Sequence, residues 1–217
     1  MSGKLTPFQD EVLRAFFERE SGFFLTGGGA LSGFHLKHRE TSDLDLFTTD
    51  AMAFERGRHV VASVAEGIEA RLEVRQDAPG FRRFALTRGD EALVVDLVLE
   101  RVKQLHAEKL NLGGVLVDPP EEILANKLTT LVSRCEERDL VDVLFLERAG
   151  LCVEDALPGA LEKDGGCTPA TLAWLLSELS IGDRAKLPAG ITVSELRAYT
   201  DDLVRRLRRA AAPKNSR

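Results

Sequence analysis

Apolar and polar positions along this chain follow two periods, and the change between them divides it. Over residues 6–20, Phe8, Val12, Leu13, Phe16 and Phe17 recur at helical spacing and predict an amphipathic helix. The run 23-FFLT-26 predicts a short strand, ended by Gly27-Gly28-Gly29, with a short helix over about 29–37. The segment 43-DLDLFT-48 alternates with period two and predicts a strand, and 52–72 reads mostly as helix. Further strands are predicted at 71–76, 81–88 and 92–100. A hairpin turn within 87-TRGDEA-92 joins the last two, because Gly-Asp supplies the backbone freedom such a turn needs. Hairpin-like strands after a strand–helix–strand start predict a mixed sheet rather than a doubly wound one.

The character changes at 118-DPPEE-122, where Asp118, two prolines and two glutamates form a helix-start signal. Helical periodicity then covers 120–134, 136–149, 153–163, 169–179 and 193–210, with capping chemistry at Thr168-Pro169 and Thr192–Glu195. The expected fold is therefore α+β, a mixed sheet with flanking helices over 1–116, followed by an all-α helical domain over 117–217. The tail 211-AAPKNSR-217 is expected to fray, and there is no internal repeat.

Composition narrows the class. With 44% hydrophobic and 29% charged residues over 217 positions, the chain has the balance of a globular protein with a well-buried core. No apolar run approaches the roughly 20 residues that span a bilayer, so no membrane partner is expected. The first twenty residues lack a signal-peptide pattern. Cys135, Cys152 and Cys167 show no CxxC spacing, and the four histidines no ligand spacing with them, so a zinc site and a disulfide framework are not expected and a cytoplasmic location is. A net charge of −6 argues against nonspecific nucleic-acid coating, though it leaves room for a local basic groove. Basic residues gather at Lys37-His38-Arg39 and at Arg205, Arg206, Arg208 and Arg209. The second group reads first as a solvated helix end, with a binding patch as the alternative.

The carboxylates carry the chemistry. Asp43 and Asp45 lie two apart on one strand, so they share a face while Leu44 and Leu46 point to the core. Either they are solvated at a strand end or a cation separates them, and Mg²⁺ is the usual choice for phosphate chemistry. Asp96 lies in 93-LVVDLVLE-100, where an unpaired charge costs several kcal/mol, so a metal or an arginine must partner it. A third carboxylate on a neighbouring strand completes a two-metal pattern for phosphoryl or nucleotidyl transfer. Glu100 is a weaker candidate on that strand. A glycine-rich turn between strand and helix exposes backbone N–H groups and admits a phosphate, which gives Gly27, Gly28 and Gly29 a role.

This ordered set resembles the DNA polymerase β-like nucleotidyltransferase superfamily. The stretch 27-GGGALSGFHLKHRETSDLDLF-47 is more narrowly similar to the AbiEii-type nucleotidyltransferases, toxins of abortive-infection toxin–antitoxin pairs. Gly27, Gly28, Ala30, Leu31, Arg39, Ser42, Asp43 and Asp45 match that pattern, and Gly29 stands where the family has a hydroxyl residue. Lys127, Arg134, Arg138, Asp139 and Asp142 match its second half. Read from spacing alone, Lys127, Arg134 and Arg138 form one stripe if their helix is continuous, or a solvated basic face paired with Glu136, Glu137 and Asp142.

The resemblance implies a Mg²⁺-dependent enzyme moving a nucleotidyl group from an NTP to a hydroxyl of RNA, tRNA in some members, with a cognate antitoxin as partner. It implies that Asp43, Asp45 and Asp96 hold metal and that Lys127 neutralises phosphate charge. Gly27–Gly29, Arg39 and Ser42 would bind the nucleotide. Arg134, Arg138, Asp139 and Asp142 would bind it too, or the aspartates would orient the cations. Alternatives are a protein or small-molecule acceptor such as an aminoglycoside, or a nucleotide-binding partner protein without turnover.

Overall fold

A seven-stranded sheet organises the first half of the chain in the computed structural model, which describes residues 5–212. Its strands are β1 (Phe24–Thr26), β2 (Asp43–Thr48), β3 (Arg71–Ala78), β4 (Phe81–Arg88), β5 (Glu91–Leu99), β6 (Leu110–Leu112) and β7 (Val115–Val117). They lie in the order β3-β4-β5-β2-β1-β7-β6. The β2–β5 and β1–β7 pairs are parallel and the rest antiparallel, so the sheet is mixed, as the order of elements predicts. The described residues up to Val102, with His106–Pro119, form one compact unit. Lys103–Leu105 and the described residues from Pro120 onward form another.

Local chemistry explains the helices of the first unit. Helix α1 (Pro7–Phe17) opens on a reciprocal capping box: Thr6 Oγ1 accepts from the Gln9 N–H at 3.1 Å, and Gln9 Oε1 accepts from the Thr6 N–H at 2.8 Å. Its buried stripe is Phe8, Val12, Leu13 and Phe16. Helix α2 (Gly27–Ala30) follows β1 directly and runs on as a π-helical turn, Leu31–His35. Helix α3 (Ala51–Gly67) starts at Asp50, whose Oδ1 accepts from the Met52 N–H at 2.7 Å.

Two strands escape the sequence reading. β6 and β7 have three residues each, too short for a period to register, and Gly113 and Gly114 turn between them with φ of +68° and +92°. Their place is decided by distant pairing, since Val117 lies opposite Leu25 and the Asp118 N–H donates to the Leu25 carbonyl at 2.9 Å.

The second unit is helical: α4 (Pro120–Ser133), α5 (Glu137–Arg148), α6 (Val153–Lys163), α7 (Pro169–Glu178) and α8 (Val193–Ala211), with a 3-10 turn at Pro188–Gly190. Helix α4 packs on α5, α6 and α7, and α7 pairs with α8. Arg206 of α8 donates to Glu147 of α5 and Glu154 of α6, and the Tyr199 hydroxyl donates to Glu147 at 2.7 Å. These ties fix three helices through charge-assisted bonds. Among the described residues no helix is long and apolar enough to cross a membrane. Of the tail expected to fray, Ala211 ends α8, and residues 213–217 lie outside the described part.

Candidate active site

The acidic face is built by strand register. Along β2, Leu44 and Leu46 are fully buried while Asp43 and Asp45 emerge on the opposite face, half-buried. Asp45 lies directly across from Asp96 in the parallel β2–β5 pair, and Asp96 lies directly across from Arg83 in the antiparallel β4–β5 pair. Residues opposite one another point to the same side, so three adjacent strands carry a row of charged groups. Thr41 Oγ1 donates to Asp43 Oδ1 at 2.8 Å and orients that carboxylate.

Each of the three glycines has a different cause. Gly27 has φ +61°, a left-handed conformation, and a Cβ there would lie 2.6 Å from Asp45 Oδ2. The Asp45 carboxylate therefore rests against Gly27, in space that any side chain would take. A Cβ on Gly28 would meet Arg39 Nη2 at 2.7 Å, so the guanidinium lies over that residue. Gly29 faces elsewhere: its Cβ would meet Leu25 Cδ1 at 3.2 Å and Leu44 Cδ2 at 3.4 Å. The position where the family has a hydroxyl thus points between two core leucines. Arg39 also donates to the Glu40 carbonyl at 3.0 Å, and Ser42 is exposed, its carbonyl accepting from the Val94 N–H at 3.3 Å.

Asp96 is 3% exposed and takes its partner from within the chain. Arg83 donates through Nε to Oδ1 at 2.8 Å and through Nη2 to Oδ2 at 2.6 Å, a two-pronged pair. The Asp96 bond raises the pKa of Arg83, partial burial opposes the rise, and the charges of Asp96, Asp43 and Asp45 add to it. Sequence reasoning did not single out Arg83, yet a signal exists. The two-residue turn at Gly89–Asp90 pairs Arg88 with Glu91, and five steps along each strand reach Arg83 and Asp96.

Asp43, Asp45 and Asp96 are hard oxygen donors on one face, the donor chemistry that suits Mg²⁺. Asp43 and Asp45 offer half-buried carboxylate oxygens of the kind such an ion takes, whereas Asp96 fits once Arg83 withdraws. Among the described residues no three His, Cys, Asp or Glu side chains already form a ready metal cage.

The remaining candidates form a network inside the helical unit. Lys127 of α4 is buried, its Nζ 2.7 Å from Asp139 Oδ1 and 2.6 Å from Asp142 Oδ2, and both aspartates are fully buried on α5. Arg134 adds two bonds to Asp139, at 2.8 and 3.0 Å. Burial pushes the Asp139 carboxyl up, but Arg134 and Lys127 outweigh it and hold the group below the usual carboxylate range. Arg138 stays out, pairing with Glu136 at 2.8 Å. The helix is not continuous: it breaks between Ser133 and Glu137, where Cys135 has φ +46°, so Lys127, Arg134 and Arg138 make no single stripe.

No curated protein matches the sequence. Among solved structures, JHP933 from Helicobacter pylori matches with a TM-score of 0.56 and 16% identity, covering 93% of this chain and 91% of that one. A second H. pylori protein, bearing the name nucleotidyltransferase, matches with TM-score 0.56 and 16% identity, over 94% of this chain and 95% of its own. These likenesses establish a shared fold. The family model "Nucleotidyl transferase AbiEii toxin, Type IV TA system" matches residues 11–213, nearly the whole sequence. With the glycine turn, the aspartate-bearing strands and that match together, the chain belongs to the AbiEii family of toxin nucleotidyltransferases.

Proposed function

We propose that this nucleotidyltransferase moves a nucleotidyl group from an NTP to a hydroxyl of RNA, with tRNA the first acceptor to test, as the toxin of a pair with a cognate antitoxin. The observation that carries the reading is the register of Asp43, Asp45 and Asp96 beside the Gly27 turn. In the reaction the acceptor oxygen bonds to the α-phosphorus, the bond to the β-phosphate oxygen breaks, and pyrophosphate leaves. A divalent cation such as Mg²⁺, held there, would supply positive charge against the charge that builds on the phosphates.

The chain's own residues supply the rest. Asp43 and Asp45 would hold the cation, and the Asp43 orientation comes from Thr41. Asp96, once released by Arg83, would join in holding the cation and so help activate the acceptor hydroxyl. Gly27–Gly29 would present backbone N–H groups to the phosphates, with Arg39 over Gly28 adding positive charge and Ser42 a hydroxyl. For Lys127 the proposed role is neutralisation of phosphate charge, with Asp139 and Asp142 orienting it and Arg134 bracing Asp139.

The test incubates the protein with each of four labelled NTPs, Mg²⁺ and total tRNA, with protein and small-molecule hydroxyls as competing acceptors. Label on tRNA that disappears with Asp43→Ala supports the proposal. Equal labelling by wild type and Asp43→Ala removes Asp43 from the site, and label on another acceptor reassigns the substrate.

A further inference from the structure

The third carboxylate of the acidic face is already held, and its holder is half-exposed while it is buried. Asp96 has a side chain 5% exposed, packed in β5, and both of its oxygens accept from Arg83. The Arg83 side chain is 45% exposed, and its guanidinium carbon lies 5.4 Å from the centre of the Phe81 ring. Its sequence neighbour Arg82 shows the contrast. Arg82 points to the other face and is pinned by Asp77, Glu55 and the Phe54 carbonyl, with its guanidinium 4.3 Å from the Phe54 ring centre. One arginine is buried among its partners, and the other is half-exposed and ends on a buried carboxylate.

We propose that Arg83 is a tethered stand-in for the divalent cation, holding Asp96 until a cation arrives and yielding both oxygens to it. This inference rests on the reading of Asp43, Asp45 and Asp96 as a cation site. A guanidinium bridging two oxygens and a divalent ion bound by them cannot occupy the same lone pairs. In the resting protein the Arg83 charge sits in the field of Asp96, Asp43 and Asp45, so Asp96 is not buried uncompensated. The same pairing lowers the affinity for cation, because only the fraction of molecules with Asp96 released is competent to use it.

The experiment is direct Mn²⁺ binding, by calorimetry and by electron paramagnetic resonance of free ion, without nucleotide. Arg83→Gln is expected to tighten Mn²⁺ binding about tenfold, as it would if Asp96 is released about a tenth of the time in the wild type. Removing any nearby positive charge helps a cation, so the deciding comparison is the Asp96→Asn background. There Arg83→Gln is expected to gain no more than about threefold, the residual effect of charge at a distance. Equal gains in both backgrounds, or no gain in the first, overturn the proposal. Arg83→Lys keeps the charge but cannot bridge both oxygens. It is expected to fall between wild type and Arg83→Gln, and an Arg83→Lys protein binding Mn²⁺ no tighter than wild type also overturns the proposal. Asp43→Asn tests the underlying reading separately: Mn²⁺ affinity unchanged by it defeats the cation site whatever Arg83 does.

Discussion

Substituting alanine at each of the three glycines in turn should give three different outcomes from three identical chemical changes. At Gly27 the backbone has φ +61°, where a Cβ costs about 1–2 kcal/mol, and the new methyl would sit 2.6 Å from Asp45 Oδ2. The carboxylate has to rotate away, so Gly27→Ala loses stability and also the placement of Asp45. For a chain of this length the backbone penalty alone corresponds to a fall of about 2–8 °C in melting temperature. At Gly28 the obstacle is the far end of Arg39, a flexible side chain, so stability should hold while the guanidinium is displaced. At Gly29 the nearest atoms are leucine methyls at 3.2 and 3.4 Å, contacts that need only small adjustments. Alanine gains about 1 kcal/mol of helix propensity over glycine, which offsets that packing cost. Gly29→Ala should therefore melt within about 2 °C of wild type and keep its activity. Differential scanning fluorimetry and the labelled-NTP assay measure both quantities on the same samples. A Gly27→Ala protein as stable and active as wild type would refute the reasoning, as would a Gly29→Ala protein that is the worst of the three.

Other consequences are open to measurement. Lys127→Met leaves Asp139 and Asp142 buried without their shared ammonium, and urea unfolding should show a loss of about 3–5 kcal/mol, partly restored by adding Asp142→Asn. Asp139 is held below the usual carboxylate range by Arg134 and Lys127, so its contribution is present above the unfolded-state value near pH 4. That contribution is lost as pH falls through the lower folded value, and circular dichroism should show Arg134→Gln unfolding at a higher pH than wild type. The Cys167 thiol is buried and pushed up to about 12, so at pH 8 a thiol reagent should modify Cys135 and Cys152 first and reach Cys167 only after denaturation.

Much of the fold was legible because its periods are long enough to count. The eight-residue β4 and the nineteen-residue α8 each carry several repeats of a period, and their predicted spans match within a residue. β6 and β7 carry one repeat at most and exist because Gly113–Gly114 turn them and β1 offers a free edge. The shared face of Asp43 and Asp45 was legible for the same reason as β4, since a strict period of two leaves no other arrangement. The partner of Asp96 was not read, although the turn at Gly89–Asp90 encodes it, because no local rule chooses between an arginine and a metal for a buried carboxylate. The stripe of Lys127, Arg134 and Arg138 failed on a single residue, Cys135, whose positive φ interrupts the helix.

By itself the sequence determines which residues can be near one another along an element. Glycines precede the DxD strand, an aspartate interrupts an apolar strand, and Lys127 lies one helix away from Asp139 and Asp142. Tertiary structure decided what each residue faces. It turned Gly27 to Asp45 and Gly29 to the core, and it gave Asp96 to Arg83. The reason is physical: periodicity reports the direction of a side chain relative to its own backbone, whereas a partner is chosen by strand register and packing between segments far apart in the chain.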